Sequence, residues 1–202
     1  PAFPGVDETP SPGAPTRRNS NLQISGVLQS SANLATYKTS GIDFQVDYGF
    51  DTGLGLIDLR VAGTYLDEYD YLPFTGGELI QLAGYFGGDP AFGNPATFAE
   101  WQVNYGVTLT RDDWGANVIA RYMSETDDID AAPANLSNVA DAITYFDVQG
   151  YYNWNDMTFT FGVRNLMDDE PPYVTAYDDM NTLQFSYDTQ GRYFYGRASI
   201  NF

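Results

Sequence analysis

From Met157 onward the chain repeats with a period of two, and this constrains its fold more than any other feature. Met157, Phe159, Phe161 and Val163 alternate with Thr158, Thr160, Gly162 and Arg164. An extended strand built on that pattern has one apolar and one polar face. After a polar stretch, Phe194, Gly196, Ala198, Ile200 and Phe202 share one face, and Tyr193, Tyr195, Arg197, Ser199 and Asn201 share the other. The pattern is still running at Phe202. A soluble domain seldom ends on an exposed aromatic strand residue, whereas a closed membrane barrel pairs its last strand with its first and leaves no edge.

The same alternation recurs upstream. Leu22, Ile24, Gly26 and Leu28 fall on one side of a first strand. Ile42, Phe44, Val46, Tyr48 and Phe50 alternate with Asp43, Gln45 and Asp47 up to the turn Asp51-Thr52-Gly53, and Ile57, Leu59, Val61, Gly63 and Tyr65 return opposite Asp58, Arg60, Ala62 and Thr64. That is a hairpin. A second one sets Trp101, Val103, Tyr105, Val107 and Leu109 against Gln102, Asn104, Thr108 and Thr110, turns at Arg111 to Gly115, and returns through Ala116, Val118, Ala120 and Tyr122. Phe146, Val148, Gly150 and Tyr152 then lead to the turn Asn153 to Asp156 and the strand from Met157. The expectation is an all-β chain of about eight antiparallel strands.

The spacing of the connections adds an orientation. Short turns near 51, 112 and 154 alternate with long segments at 66–100, 124–141 and 167–191. Outer-membrane barrels have this asymmetry, with short periplasmic turns and long extracellular loops. The short turns and the C-terminus are therefore expected on the periplasmic side of a Gram-negative outer membrane, and the three long loops outside. Residues 1–20, with Pro at 1, 4, 10, 12 and 15, read as a loop or disordered lead-in to a barrel segment at 21–202.

Composition agrees. The chain has 16 Tyr, 13 Phe and 3 Trp. Tyr48, Phe50, Trp114, Tyr152, Trp154 and Phe202 lie at the turn ends, and Tyr65, Trp101 and Tyr122 at the opposite ends, where two aromatic girdles would meet the headgroups. Asp43, Asp47, Asp58, Arg60, Asp147, Arg164 and Arg197 all fall on the polar faces. They are expected to line a lumen, because an Arg on the lipid face at mid-bilayer costs about 2–4 kcal/mol. No segment stays apolar for the roughly 18 residues of a membrane helix. A barrel does not register in hydropathy, so the mean hydropathy of −0.32 leaves a membrane open. A soluble β-sandwich with its polar face in water alternates equally well. The loop asymmetry favours the barrel.

A net charge of −18 with only 9 Lys and Arg excludes nucleic acid as a partner, since phosphate binding needs clustered cations. The chain has no Cys and no His. Disulfide frameworks, the common zinc sites and His-based triads are therefore excluded. With no positioned nucleophile or base, neither enzymatic activity nor a cofactor is expected.

Two motifs carry a family resemblance. Asn165-Leu166-Met167-Asp168-Asp169-Glu170-Pro171-Pro172, followed by Tyr187-Asp188-Thr189-Gln190-Gly191-Arg192 and the final Phe202, resembles the C-terminus of a TonB-dependent outer-membrane receptor. The run Asn33-Leu34-Ala35-Thr36-Tyr37-Lys38-Thr39-Ser40-Gly41-Ile42-Asp43 resembles the same family where a strand re-enters the barrel. The resemblance spans about Asn33 to Phe202 and implies an antiparallel transmembrane β-barrel, of which this chain is the C-terminal part of some 22 strands. It further implies uptake of a scarce nutrient (siderophore, vitamin or oligosaccharide) into the periplasm. The implied partners are the plug and N-terminal strands of the receptor, TonB acting through that N-terminal part, outer-membrane lipid and lipopolysaccharide, and the barrel assembly machinery. The rival reading is a self-contained eight-stranded structural or passive pore protein.

Three sets of residues are candidates for sites. The aromatics of the first long loop, Tyr69, Tyr71, Phe74, Tyr85 and Phe86, with Phe92 and Phe98 nearby, could stack a sugar or an aromatic siderophore, or pack the loop onto the barrel mouth. The carboxylates Asp168, Asp169, Glu170, Asp178 and Asp179, and the run Asp127-Asp128-Ile129-Asp130, could offer oxygen ligands to Ca²⁺ or remain solvated. Phe194, Ile200 and Phe202 are expected to serve barrel assembly and closure. Arg60, Arg121, Arg164 and Arg197 could steer an anion or pair with Asp43, Asp58 and Asp147 on neighbouring strands.

Overall fold

Period two becomes hydrogen-bonded strand, and no helix occurs among the described residues. The computed structural model describes residues 16–18, 24–27, 35–88, 95–129, 139–175 and 180–200. It divides into two compact units, residues 1–35 and 36–202. In the first, β1 (Thr16–Arg18) pairs antiparallel with β2 (Ile24–Val27). The strand expected around Leu22 to Leu28 is thus found as a short hairpin arm, and its partner lies in the segment read as lead-in.

Among its described residues the second unit holds twelve strands, β3 (Thr36–Thr52), β4 (Gly55–Leu72), β5 (Ile80–Gln81), β6 (Tyr85–Gly88), β7 (Pro95–Thr97), β8 (Trp101–Arg111), β9 (Trp114–Met123), β10 (Thr126–Asp128), β11 (Val139–Ala140), β12 (Ile143–Trp154), β13 (Met157–Arg164) and β14 (Tyr193–Ile200). The seven long ones form an antiparallel meander in the order β14-β13-β12-β9-β8-β4-β3, with β5 added beside β4. Sequence neighbours are sheet neighbours throughout. The three two-residue turns therefore lie at one end and the long connections at the other. Asp112 and Asn155 open two of those turns at φ +39° and +50°, a left-handed conformation that Asp and Asn tolerate better than most residues.

The register turns alternation into two continuous faces. One row across all seven long strands reads Tyr48, Leu59, Val107, Val118, Val148, Val163 and Phe194; the row beside it reads Gly49, Asp58, Thr108, Asn117, Gln149, Gly162 and Tyr195. The apolar face is bare. Val46 is 62% exposed, Phe161 68% and Phe194 69%, and no second sheet covers them among the described residues. A sandwich would bury these side chains. Leaving such a face in water would forfeit about 1.5–3 kcal/mol for each large side chain.

The buried core lies instead among the long connections. Phe86, Ala140, Val174, Leu183 and Tyr187 pack together with Met123 and Ile143 against them. A four-stranded sheet in the order β11-β10-β6-β7 ties two of these connections to each other, with β10 parallel to β6. The segment 66–100, expected as a long loop, contributes the last residues of β4 and all of β5, β6 and β7. Thr182 donates its hydroxyl to the Pro172 carbonyl at 2.8 Å, and Ser186 donates to Thr97 Oγ1 at 2.8 Å. The third connection is thereby fastened to the first. Together the three make one cap at the long-loop end of the sheet.

Candidate functional site

The polar face carries ion pairs and hydrogen bonds between neighbouring strands. Arg60 pairs with Asp47, Thr64 donates to Asp43 at 2.6 Å, Asn117 donates to Thr108 at 2.7 Å, and Tyr195 donates to Gln149 Oε1 at 2.8 Å. Cross-strand residues on one face lie close enough to pair. Tyr195 can lie flat over the neighbouring strand because Gly162 offers no side chain; a Cβ there would collide with its ring. A concavity of about 560 Å³ on this face is bordered by Asp58, Arg60, Asn104, Gly106 and Asn117.

Toward the cap, the face converges on Arg121. Its Nε donates to Asp147 Oδ2 at 2.9 Å and its Nη2 to Asp147 Oδ1 at 3.3 Å, Nη2 also lies 3.6 Å from Asp188 Oδ2, and the guanidinium sits 5.2 Å from the centre of the Tyr145 ring. Two carboxylates and an aromatic face thus hold one cation. Asp147 Oδ1 further accepts the Asn165 backbone N–H at 2.9 Å. Below Ser186 and Tyr187 this arrangement leaves a cleft of about 180 Å³, whose floor includes Gln102, Asn104 and Arg121.

The two C-terminal motifs meet here. Asn165, fully buried and at φ +50°, accepts the Asp169 N–H at 3.0 Å and donates its side-chain amide to the Asp169 carbonyl at 2.9 Å. Asp168 accepts the Arg192 N–H at 2.8 Å and faces the Arg192 guanidinium at 3.9 Å. Gly191 stands against that carboxylate at φ +68°. Tyr187 enters the cap core, and Asp188 reaches Arg121. The letters shared by the two motifs are the residues that clamp the last connection shut. Sequence reading quoted Asn165 without giving it a task; its signal was an Asn directly after the last alternating residue, a common place for a left-handed turn.

The structure separates the aromatic candidates. Phe86 is fully buried in the cap core and Tyr71 is buried, whereas Phe74 and Tyr85 remain exposed. Tyr69 stacks on Phe98 with ring centres 4.7 Å apart, and Tyr37 meets Tyr71 at 4.8 Å. Phe185, not singled out from the sequence, is 75% exposed on the cap. Phe92 lies outside the described residues. Of the acidic candidates, Asp168 is engaged by Arg192, Asp169 by Asn165 through its backbone, and Glu170 is exposed. Asp178, Asp179 and Asp130 lie outside the described residues, among which no group of three His, Cys, Asp or Glu could hold a metal ion. Phe194 and Ile200 sit on the apolar face of β14, which together with β3 forms the outer edges of the sheet. Phe202 lies outside the described residues.

This geometry, a bare apolar face backed by a paired polar one, agrees with the comparison to known families. The family model described as TonB dependent receptor-like, beta-barrel matches residues 6–166. The chain belongs to that family. Membership implies an outer-membrane location in a Gram-negative cell, a role in transport, and a larger receptor with a plug that engages TonB. The match takes in residues from 6 onward, ahead of Asn33 where the sequence resemblance begins, and ends at Leu166, inside the first C-terminal motif. No curated protein and no solved structure matches the chain.

Proposed function

We propose that the chain forms the C-terminal part of a 22-stranded receptor barrel that imports a scarce nutrient, a siderophore, vitamin or oligosaccharide, into the periplasm. The observation that carries this reading is the row-by-row register, which puts Val46, Phe161 and the row from Tyr48 to Phe194 on one uncovered face and the Arg60–Asp47 and Arg121–Asp147 ion pairs on the other. In this reading the uncovered face meets acyl chains and the paired face looks into a lumen occupied by the plug. The turn end and the C-terminus lie on the periplasmic side, and the cap lies outside. Among the described residues the outer edges of β3 and β14 pair with no further strand, which supports completion of the barrel by others.

The ligand would meet the cap first, at its exposed rings. Phe74 and Tyr85 are exposed and free to stack on a flat ring, and Phe185 is a further exposed aromatic of the cap. A stacked aromatic contributes about 0.5–1.5 kcal/mol, so Phe74→Ala and Tyr85→Ala would each weaken binding about two- to tenfold. The test of the function is growth of a strain lacking the receptor on candidate iron chelates, cobalamin and oligosaccharides as sole sources. A defect confined to one class identifies the substrate; normal growth on all of them counts against import.

A further inference from the structure

We propose that the outer boundary of the bilayer crosses this sheet at the bulge between Ser40 and Gly41, so that the strand ends beyond it stand in the lipid headgroup layer and present Lys38, Ser40 and Glu68 to it. The inference rests on the reading that the apolar face meets lipid, and two independent observations place the boundary.

The first is an exchange of polarity. Gly41 pairs with Leu66 and Ser40 with Glu68, leaving Asp67 as the extra residue of a bulge. Because β3 continues unbroken, Ser40 and Lys38 project from the same face as Ile42, Phe44 and Val46. Below the bulge that face is apolar; above it, it is charged. Lys38 pairs with Glu68 at 2.6 Å, and Ser40 donates to Glu68 Oε2 at 3.1 Å. The opposite face changes the other way, from Asp43 and Asp47 below to Tyr37, Tyr69 and Tyr71 above, whose rings pack on one another and on Phe98. The cap, through Phe98, accounts for the aromatics of the opposite face. The outward face turns charged at the same level, as expected where a hairpin leaves hydrocarbon and trades acyl chains for hydrated phosphate groups.

The second is length. From Ile42 to Phe50 β3 rises about 27 Å, or about 21 Å along the membrane normal at a tilt of ~40°, close to the roughly 25 Å apolar band of such barrels. The whole strand from Thr36 to Thr52 would extend about 42 Å along the normal, far more than that band. The surplus falls on the charged side of the bulge. Just below it, the Tyr65 and Trp101 rings lie 4.6 Å apart, at the depth that amphipathic aromatics favour.

The chain contains no cysteine, which allows a direct test on the full receptor in lipid vesicles, with any cysteine elsewhere in it replaced. Lys38→Cys, Ser40→Cys, Val46→Cys and Tyr48→Cys variants would each carry a small fluorophore. They would be quenched by lipids brominated deep in the acyl chain or by lipids bearing a nitroxide on the headgroup. The expected result is headgroup quenching at 38 and 40 and acyl-chain quenching at 46 and 48. A charged maleimide should also react at least tenfold faster at 38 and 40 than at 46. Acyl-chain quenching at all four positions would overturn the boundary while leaving the membrane reading intact. Free reaction and no lipid quenching at 46 and 48 would overturn both.

Discussion

Asn165 shows how much one side chain can hold. Its backbone is left-handed, its amide bonds Asp169 twice, and its N–H docks on the carboxylate that also holds Arg121. Asn165→Ala leaves the Asp169 N–H and C=O without their partner and sets in the left-handed region a side chain that tolerates it less well than Asn does, so a loss of about 2–4 kcal/mol is expected. Asn165→Gly restores the backbone freedom and should cost about 1 kcal/mol less; equal losses for both, measured by denaturant unfolding in micelles, would show that the φ angle is irrelevant. Tyr187 sets a second expectation. Burial in the cap core pushes its phenol above the usual value, so the folded cap keeps the proton longer than the unfolded chain does. Cap stability is then flat below pH ~10, where neither state ionises, and falls as the pH rises beyond it. Tyr187→Phe should flatten that fall in proteolysis of the 180–192 segment, and an unchanged alkaline profile would assign it to another group. The motif letters around both residues were legible in the sequence. Their tasks were not, because each depends on Asp147 or Phe86, which are distant in the chain.

At the scale of elements, the long strands and the cap differ in what makes them. The strands follow from local alternation and two-residue turns, and their direction could be read from the chain; of the eight or so expected, seven are the long strands of the sheet and the first is a short arm of a separate hairpin. The cap strands are two to four residues long, too short to show a period, and they exist because Phe86, Ala140, Val174, Leu183 and Tyr187 share a core. Removing part of that core should therefore melt the cap and spare the sheet. Phe86→Ala is expected to cost about 3–5 kcal/mol and to speed amide exchange in 85–88, 126–128 and 139–140, with the β12–β13 ladder unchanged. Uniform acceleration would mean that cap and sheet unfold as one. A second prediction concerns motion. The Ser186 and Thr97 oxygens are 2.8 Å apart, so Thr97→Cys with Ser186→Cys should oxidise readily. If ligand entry needs the cap to open, the oxidised form would bind but not transport, and reduction would restore transport.

For the whole molecule, the decisive property is the sidedness of the sheet. Val46→Arg should lower folding yield into lipid vesicles by an amount corresponding to about 2–4 kcal/mol, whereas Gln45→Arg, one residue away on the polar face, should be tolerated. Equal effects would mean that the two faces meet the same medium. The sequence by itself determined this sidedness, the all-β class and the alternation of short turns with long connections, because strand periodicity and turn chemistry act between residues a few positions apart. Only the tertiary structure decided that the long connections join into one cap, that Phe86 and Tyr71 are buried while Phe74 and Tyr85 remain accessible, and that the first hairpin exchanges its faces at Ser40. Those outcomes depend on the register between strands and on a core drawn from three separate connections, and neither is encoded in any single stretch of the chain.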